Sequence, residues 1–135
     1  MNEWRCAFRS ILAELSTPSA QRDQWFLWCA GQMAHAMIGA VLVGAALFFL
    51  PPIASLYLVV VGYASLKEVP DFCRAPSWAT ARDCVQDALF VTAGAALVVA
   101  IAGGHDRLFI VAVLAAAIGL AWGALIRLKG AGNVR

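Results

Sequence analysis

Apolar residues gather in four long runs along this chain, at about 24–50, 53–68, 81–102 and 108–126, and polar residues collect between them. A helix rises 1.5 Å per residue, so a run of about 20–25 residues crosses a hydrocarbon core about 30 Å thick. The first run ends at Pro51 and Pro52. The apolar part of the second is short, and Pro70 limits how far its helix continues. Residues 72–79, with Arg74, Pro76 and Ser77, read as a loop. The third run opens on Thr80-Ala81-Arg82-Asp83, which has the form of a capping box with Asp in the usual Glu position. It stops at Gly103 and Gly104, and a turn through His105, Asp106 and Arg107 leads into an uncharged fourth run. The pattern predicts an all-α, integral membrane four-helix bundle over residues 24–129.

Residues 1–20 carry a different period. Trp4, Phe8, Ile11, Leu12 and Leu15 fall at helical spacing, with Glu3, Arg5, Arg9 and Glu14 largely opposite. This predicts an N-terminal amphipathic interfacial helix. A secretory leader fits poorly, because Glu14 and Thr17-Pro18-Ser19 interrupt any apolar core. Ala34-His35-Ala36 mimics a cleavage site, but the apolar run continues well past it.

Composition agrees with the pattern. The 135 residues are 62% hydrophobic and 13% charged, against about 25% charged in soluble domains. A net charge of +2 with no long basic run gives no sign of nucleic acid as a partner. The four cysteines, Cys6, Cys29, Cys73 and Cys84, lack metal-binding spacing; Cys73 and Cys84 are expected as thiols in a reducing compartment and as a possible pair in an oxidising one. Charge also orients the bundle. Arg5, Arg9, Arg22, Lys67, Arg74, Arg82, Arg127, Lys129 and Arg135 lie on one side, and only Arg107 on the other. The positive-inside rule then puts both termini and the charged loop in the cytoplasm, with a bacterial inner membrane as the expected location. Trp4, Trp25, Trp28 and Trp78 read as interface anchors.

Against this apolar background a few polar positions stand out. Gly31, His35 and Gly39 repeat every four residues beside Gln32, a stripe that lets another helix approach closely. His35 lies about 16 Å along its helix, near mid-bilayer. On the second helix Tyr57, Val61, Ala64, Glu68 and Asp71 would share a face, with Lys67 next to it. Asp83, Asp87 and Gly94 share a face of the third. Intramembrane ionisable groups are a functional-site hypothesis by default. The candidate acid/base or ligand-binding residues are therefore Glu68, Asp71, Asp83, Asp87 and His35, with Lys67, Arg82 and Gln32 as binding residues. Such a set suits either a divalent cation, with Glu68, Asp83 and Asp87 as candidate ligands, or proton transfer. Each residue has a plainer account as well. Asp83 suits a helix start, Lys67 and Glu68 can reach interfacial water, and His35 can bond a neighbouring helix.

Taken together, His35-x3-Gly39, Gly62-x4-Lys67-Glu68-x2-Asp71 and Asp83-x3-Asp87 followed by Gly94 resemble the polar skeleton of VanZ-like small membrane proteins and related short bacterial and phage proteins, over residues 31–95. An asparagine often expected beyond the second aspartate is absent, since residues 90–92 offer only Thr92. The resemblance implies an envelope protein, with an association to glycopeptide resistance, and implies that these residues form one site. It implies no particular reaction. The leading expectation is an inner-membrane protein that binds or processes a lipid-linked or phosphate-bearing ligand at the cytoplasmic leaflet. Two other expectations stand beside it. Gly39, Gly44, Gly94, Gly119 and Gly123 suit a homo-oligomeric phage holin or other membrane-permeabilising protein, and the carboxylates suit the docking contacts of an accessory subunit.

Overall fold

The computed structural model describes residues 25–132, with side chains as far as Leu128. The amphipathic segment expected over residues 1–20 lies outside the described residues. Helix α1 spans Trp25–Ala46, α2 Pro52–Tyr63, α3 Val69–Arg74, α4 Trp78–Gly103 and α5 Asp106–Gly132. A π-helical turn, Ala64–Glu68, joins α2 to α3 without a break. No strand occurs among the described residues, and the architecture is all-α. Four helical runs, Trp25–Ala46, Pro52–Arg74, Trp78–Gly103 and Asp106–Leu128, are long and apolar enough to cross a membrane. The molecule is a multi-pass helical bundle.

Local chemistry sets most of the boundaries. Pro52 sits at the first position of α2, where a missing N–H costs nothing, and Ser55 Oγ donates to the Leu50 carbonyl at 3.2 Å. Gly104 adopts the left-handed conformation at φ 64°, which L-residues avoid, and the His105 N–H reaches back to the Ala100 carbonyl at 2.8 Å. The expected stop at Gly103-Gly104 is where α4 ends.

Two boundaries differ from expectation. The second span does not end near Glu68: it continues through Pro70 to Arg74, so the predicted loop over 72–79 shrinks to residues 75–77. Pro70 has no N–H to offer and would crowd the carbonyl of Leu66 in a regular helix. The wider turn ahead of it relieves that conflict, with the Val69 N–H bonding five residues back to the Ala64 carbonyl. The cap of α4 also moves. Ser77, not Thr80, is the N-cap: its Oγ accepts from the Thr80 N–H at 3.0 Å and lies 2.8 Å from Thr80 Oγ1. Asp83 consequently stands in the second turn of α4, beyond the capping role.

Helix α4 is the axis of the bundle and touches every other helix. Contacts from Gln32 to Asp87 and then from Gly39 to Val91 show that α1 and α4 run in the same direction. At their crossing the backbones nearly touch. A Cβ on Gly39 would overlap the Val91 carbonyl, and one on Gly94 would overlap the Ala36 carbonyl. The small-residue stripe does what its spacing predicts. Beyond this crossing lies the core, where Val43, Val59, Val91, Ala95 and Val99 pack together from α1, α2 and α4. Outward, Ile110, Leu114, Ile118, Trp122 and Leu125 of α5 are exposed, a face suited to lipid chains.

Trp28 corrects one expectation. Trp25 and Trp78 are exposed, as interface anchors would be, but Trp28 is buried. Its indole fills the space left by Gly123, meets Phe90 edge-on at 6.2 Å and lies 4.1 Å beneath the Arg127 guanidinium. Arg127 is itself buried and donates to the Gly123 carbonyl at 3.2 Å. This cation–π contact joins the first span to the last.

Candidate functional site

Below the glycine crossing, toward the Trp28 end, the α1–α4 interface turns polar. Gln32 and His35 are one helical turn apart on α1 and both are buried. Gln32 Nε2 donates to Asp87 Oδ1 at 2.8 Å, and His35 Nδ1 stands 3.3 Å from the same oxygen, outside hydrogen-bond geometry. A carboxylate only accepts, so the Gln32 amide nitrogen must face Asp87 and its oxygen must face away. That oxygen, Oε1, is buried without a hydrogen-bond partner. An aspartate beside Nδ1 of a histidine favours the tautomer whose basic nitrogen is Nε2, an arrangement suited to proton transfer.

The π turn supplies the opposite wall. Ser55, Val59 and Tyr63 follow one another at four-residue spacing along the inward face of α2. The next inward position is Glu68, five residues on, because the π turn adds a residue to that turn. In a regular helix Lys67 would take the inward position and Glu68 would swing aside. The expected shared face of Tyr57, Val61 and Glu68 is therefore corrected: Tyr57 and Val61 are exposed, whereas Glu68 is 5% exposed. The cause is the register shift that Pro70 imposes.

Around Glu68 several groups converge. The Tyr63 hydroxyl faces its carboxyl, although neither the hydroxyl nor Glu68 Oε1 has a partner in hydrogen-bond geometry. The Cys84 thiol reaches the Glu68 carbonyl oxygen at 3.5 Å, and the Tyr63 ring lies 6.2 Å from His35, centre to centre. Lys67 Nζ is 4.0 Å from Glu68 Oε1 and donates to Asp71 Oδ2 at 2.5 Å. Asp71 also accepts from Arg74 Nη1 at 2.8 Å. Exposure rises outward from Glu68 through the two cations, with side chains 7% exposed at Glu68, 34% at Lys67 and 77% at Arg74, while Asp71 between the cations is 19% exposed. Lys67 is near enough to Asp87 and His35 for its charge to act on both.

The structure thus gathers Gln32, His35, Lys67, Glu68, Asp71 and Asp87. Arg82 is not part of the group: it is half exposed and its nearest carboxylate is its neighbour Asp83, at 4.0 Å. Asp83 lies one turn before Asp87 on α4, nearer the helix start. Among the described residues no three His, Cys, Asp or Glu side chains are arranged to hold a metal ion, so Glu68, Asp83 and Asp87 do not assemble as a ligand set. Cys29, Cys73 and Cys84 are all free thiols. Tyr63, Cys84 and Arg74 were not among the candidate residues. The only signal for Tyr63 was its spacing from Ser55 and Val59, and it competed with an equally regular pattern through Tyr57. No protein-family model matches the chain, and neither a curated protein nor a solved structure is significantly similar to it.

Proposed function

We propose that this chain is a cell-envelope protein of the bacterial inner membrane, with both termini cytoplasmic, and that its polar cluster binds or processes a lipid-linked or phosphate-bearing ligand entering from the cytoplasmic leaflet. One observation carries the reading: three separate spans bring the buried Gln32, His35 and Glu68 and the partly buried Asp87 to one place with Lys67 at its edge. Such a group of polar side chains inside a membrane bundle is costly unless it serves a function. In this reading Asp87 holds His35 for proton transfer, Lys67 and Arg74 meet the phosphate at the rim, and Glu68 orients the group that enters. The likeness to VanZ-like proteins supports the same assignment, since the residues that carry it are mostly those in the cluster.

The pore-forming alternative draws on small residues, and most of those pack inside the chain. Of the five glycines that suit association between copies, Gly39, Gly94, Gly119 and Gly123 face Val91, Ala36, Phe90 and Trp28 within the same chain, and Gly44 has open space beside it.

The test is lipid retention. The full chain purified in mild detergent is expected to carry a phosphorus-containing lipid, seen by native mass spectrometry, that Asp87→Asn and Lys67→Ala release. Equal retention by folded wild type and both variants would sink the proposal. Labelling Cys73 from either side of sealed vesicles tests the orientation.

A further inference from the structure

The cluster has an uneven chemistry that narrows the ligand. Its floor is rich in acceptors. Gln32 and Glu68 are only 4% and 5% exposed, and each presents an oxygen without a hydrogen-bond partner, Gln32 Oε1 and Glu68 Oε1. Asp87 stands beside both, bonded to Gln32 and close enough to Glu68 for their charges to interact. A buried acceptor left unmatched is costly; the Tyr63 hydroxyl, which faces the Glu68 carboxyl, can meet one acceptor site of that group, and Gln32 Oε1 and the remaining Glu68 sites are left for a further donor. Charge points the same way. The floor brings together the two carboxyl groups of Glu68 and Asp87, and the nearby ammonium of Lys67 is drawn off by Asp71 at 2.5 Å. The rim is the reverse, with the exposed Arg74 and the partly exposed Lys67 on either side of Asp71.

From this gradient we infer that the group taken up by the floor is a primary ammonium carried next to a phosphate, as in an aminoalkyl phosphate. The inference rests on the proposed ligand site and names what enters it. An ammonium supplies three N–H donors and one positive charge, matching the oxygens of Gln32, Glu68 and Asp87. A quaternary ammonium brings the charge without a donor, and a hydroxyl brings a donor without the charge. The adjoining phosphate then meets Lys67 and Arg74, which can exchange part of their pairing with Asp71 for it. Tyr63 closes the floor beside Glu68, with its hydroxyl facing the carboxyl.

The experiment uses the full chain, delipidated in detergent, and reads binding by native mass spectrometry and thermal stabilisation. Phosphatidylethanolamine, phosphatidylcholine, phosphatidylglycerol and free ethanolamine phosphate are compared on the wild-type protein, so the result does not depend on any variant folding. Phosphatidylethanolamine is expected to bind about tenfold or more tighter than either other lipid, the scale of one hydrogen bond to a charged group. Glu68→Gln is expected to erase that preference, bringing phosphatidylethanolamine to within about twofold of phosphatidylglycerol on the same folded variant, a gap too small for a charged hydrogen bond. Stabilisation by ethanolamine phosphate as strong as by the lipid would make the source a soluble amine and uphold the ammonium. Equal binding of phosphatidylglycerol and phosphatidylethanolamine would overturn the ammonium but leave a phosphate-lipid site standing. Binding of none would overturn both readings.

Discussion

The two halves of the α1–α4 interface are built from the same pair of helices and share one crossing point, yet they are chemically opposite. Beyond Gly39 and Gly94 the contact is dry, formed by Val43, Val91, Ala95 and Val99 with Val59 of α2. Before that crossing it is polar, formed by Gln32, His35 and Asp87, with Glu68 on the facing wall. Several of the polar atoms lack partners, whereas the dry half has none to satisfy. The contrast separates two tasks. In a bilayer, helices gain little from hiding apolar side chains, since lipid is as apolar as they are, so close packing must hold the bundle. The dry half does that, and the polar half is free to carry the unmet hydrogen-bonding capacity on which the proposed ligand site rests.

Breaking the shared crossing should damage both halves at once. Gly94→Leu places a side chain into the Ala36 carbonyl. Backbone cannot yield as a side chain can, so the loss of stability should reach or exceed about 3 kcal/mol, the upper end of ordinary overpacking. Thermal unfolding in detergent would register it, and an unchanged midpoint would mean that the helices do not approach so closely.

A paired comparison divides the halves. Val91→Ala should lower stability by about 1–3 kcal/mol through a cavity in the dry half, while lipid retention by the folded fraction stays normal. Asp87→Asn keeps the shape of its side chain and should cost no more than about 1–2 kcal/mol, yet it should abolish retention. If the two variants lost retention equally, the separation of tasks would be wrong.

Pro70→Ala sharpens the comparison by acting from outside both halves. Restoring an N–H removes the reason for the π turn, and a regular helix would turn Glu68 away from Asp87. Stability should change by less than about 1 kcal/mol, since the new helical bond offsets the altered packing. The preference for phosphatidylethanolamine should fall as it does for Glu68→Gln, and amide exchange over residues 64–69 should slow. Smallest of all, Arg74→Ala removes an exposed pair with Asp71 and should alter stability by about 0.5 kcal/mol or less.

Much of the site was legible in the chain, for a simple reason. A charged or amide side chain in an apolar run is conspicuous wherever it finally points. Gln32, His35, Lys67, Glu68, Asp71 and Asp87 could all be picked out this way, and all six meet. Arg82 was conspicuous for the same reason but faces outward, because nothing local records which side of α4 the other helices cover. The face drawn through Tyr57 and Glu68 failed on a different ground. It assumed 3.6 residues per turn through a stretch where Pro70 makes the helix take more.

What the sequence by itself determined is the set of spans, the small-residue crossing and the helix stop at Gly103-Gly104. Hydropathy sums along the chain, and a glycine's lack of Cβ is a property of one residue, so neither needs a partner to be read. Tertiary structure alone decided that Trp28 is buried under Arg127 rather than set at an interface, and that Glu68 rather than Lys67 faces Asp87. Both outcomes depend on groups brought together from distant spans, or on a register shift that only packing makes visible. The direction of a side chain is a relation between helices, and a linear pattern holds only one helix at a time.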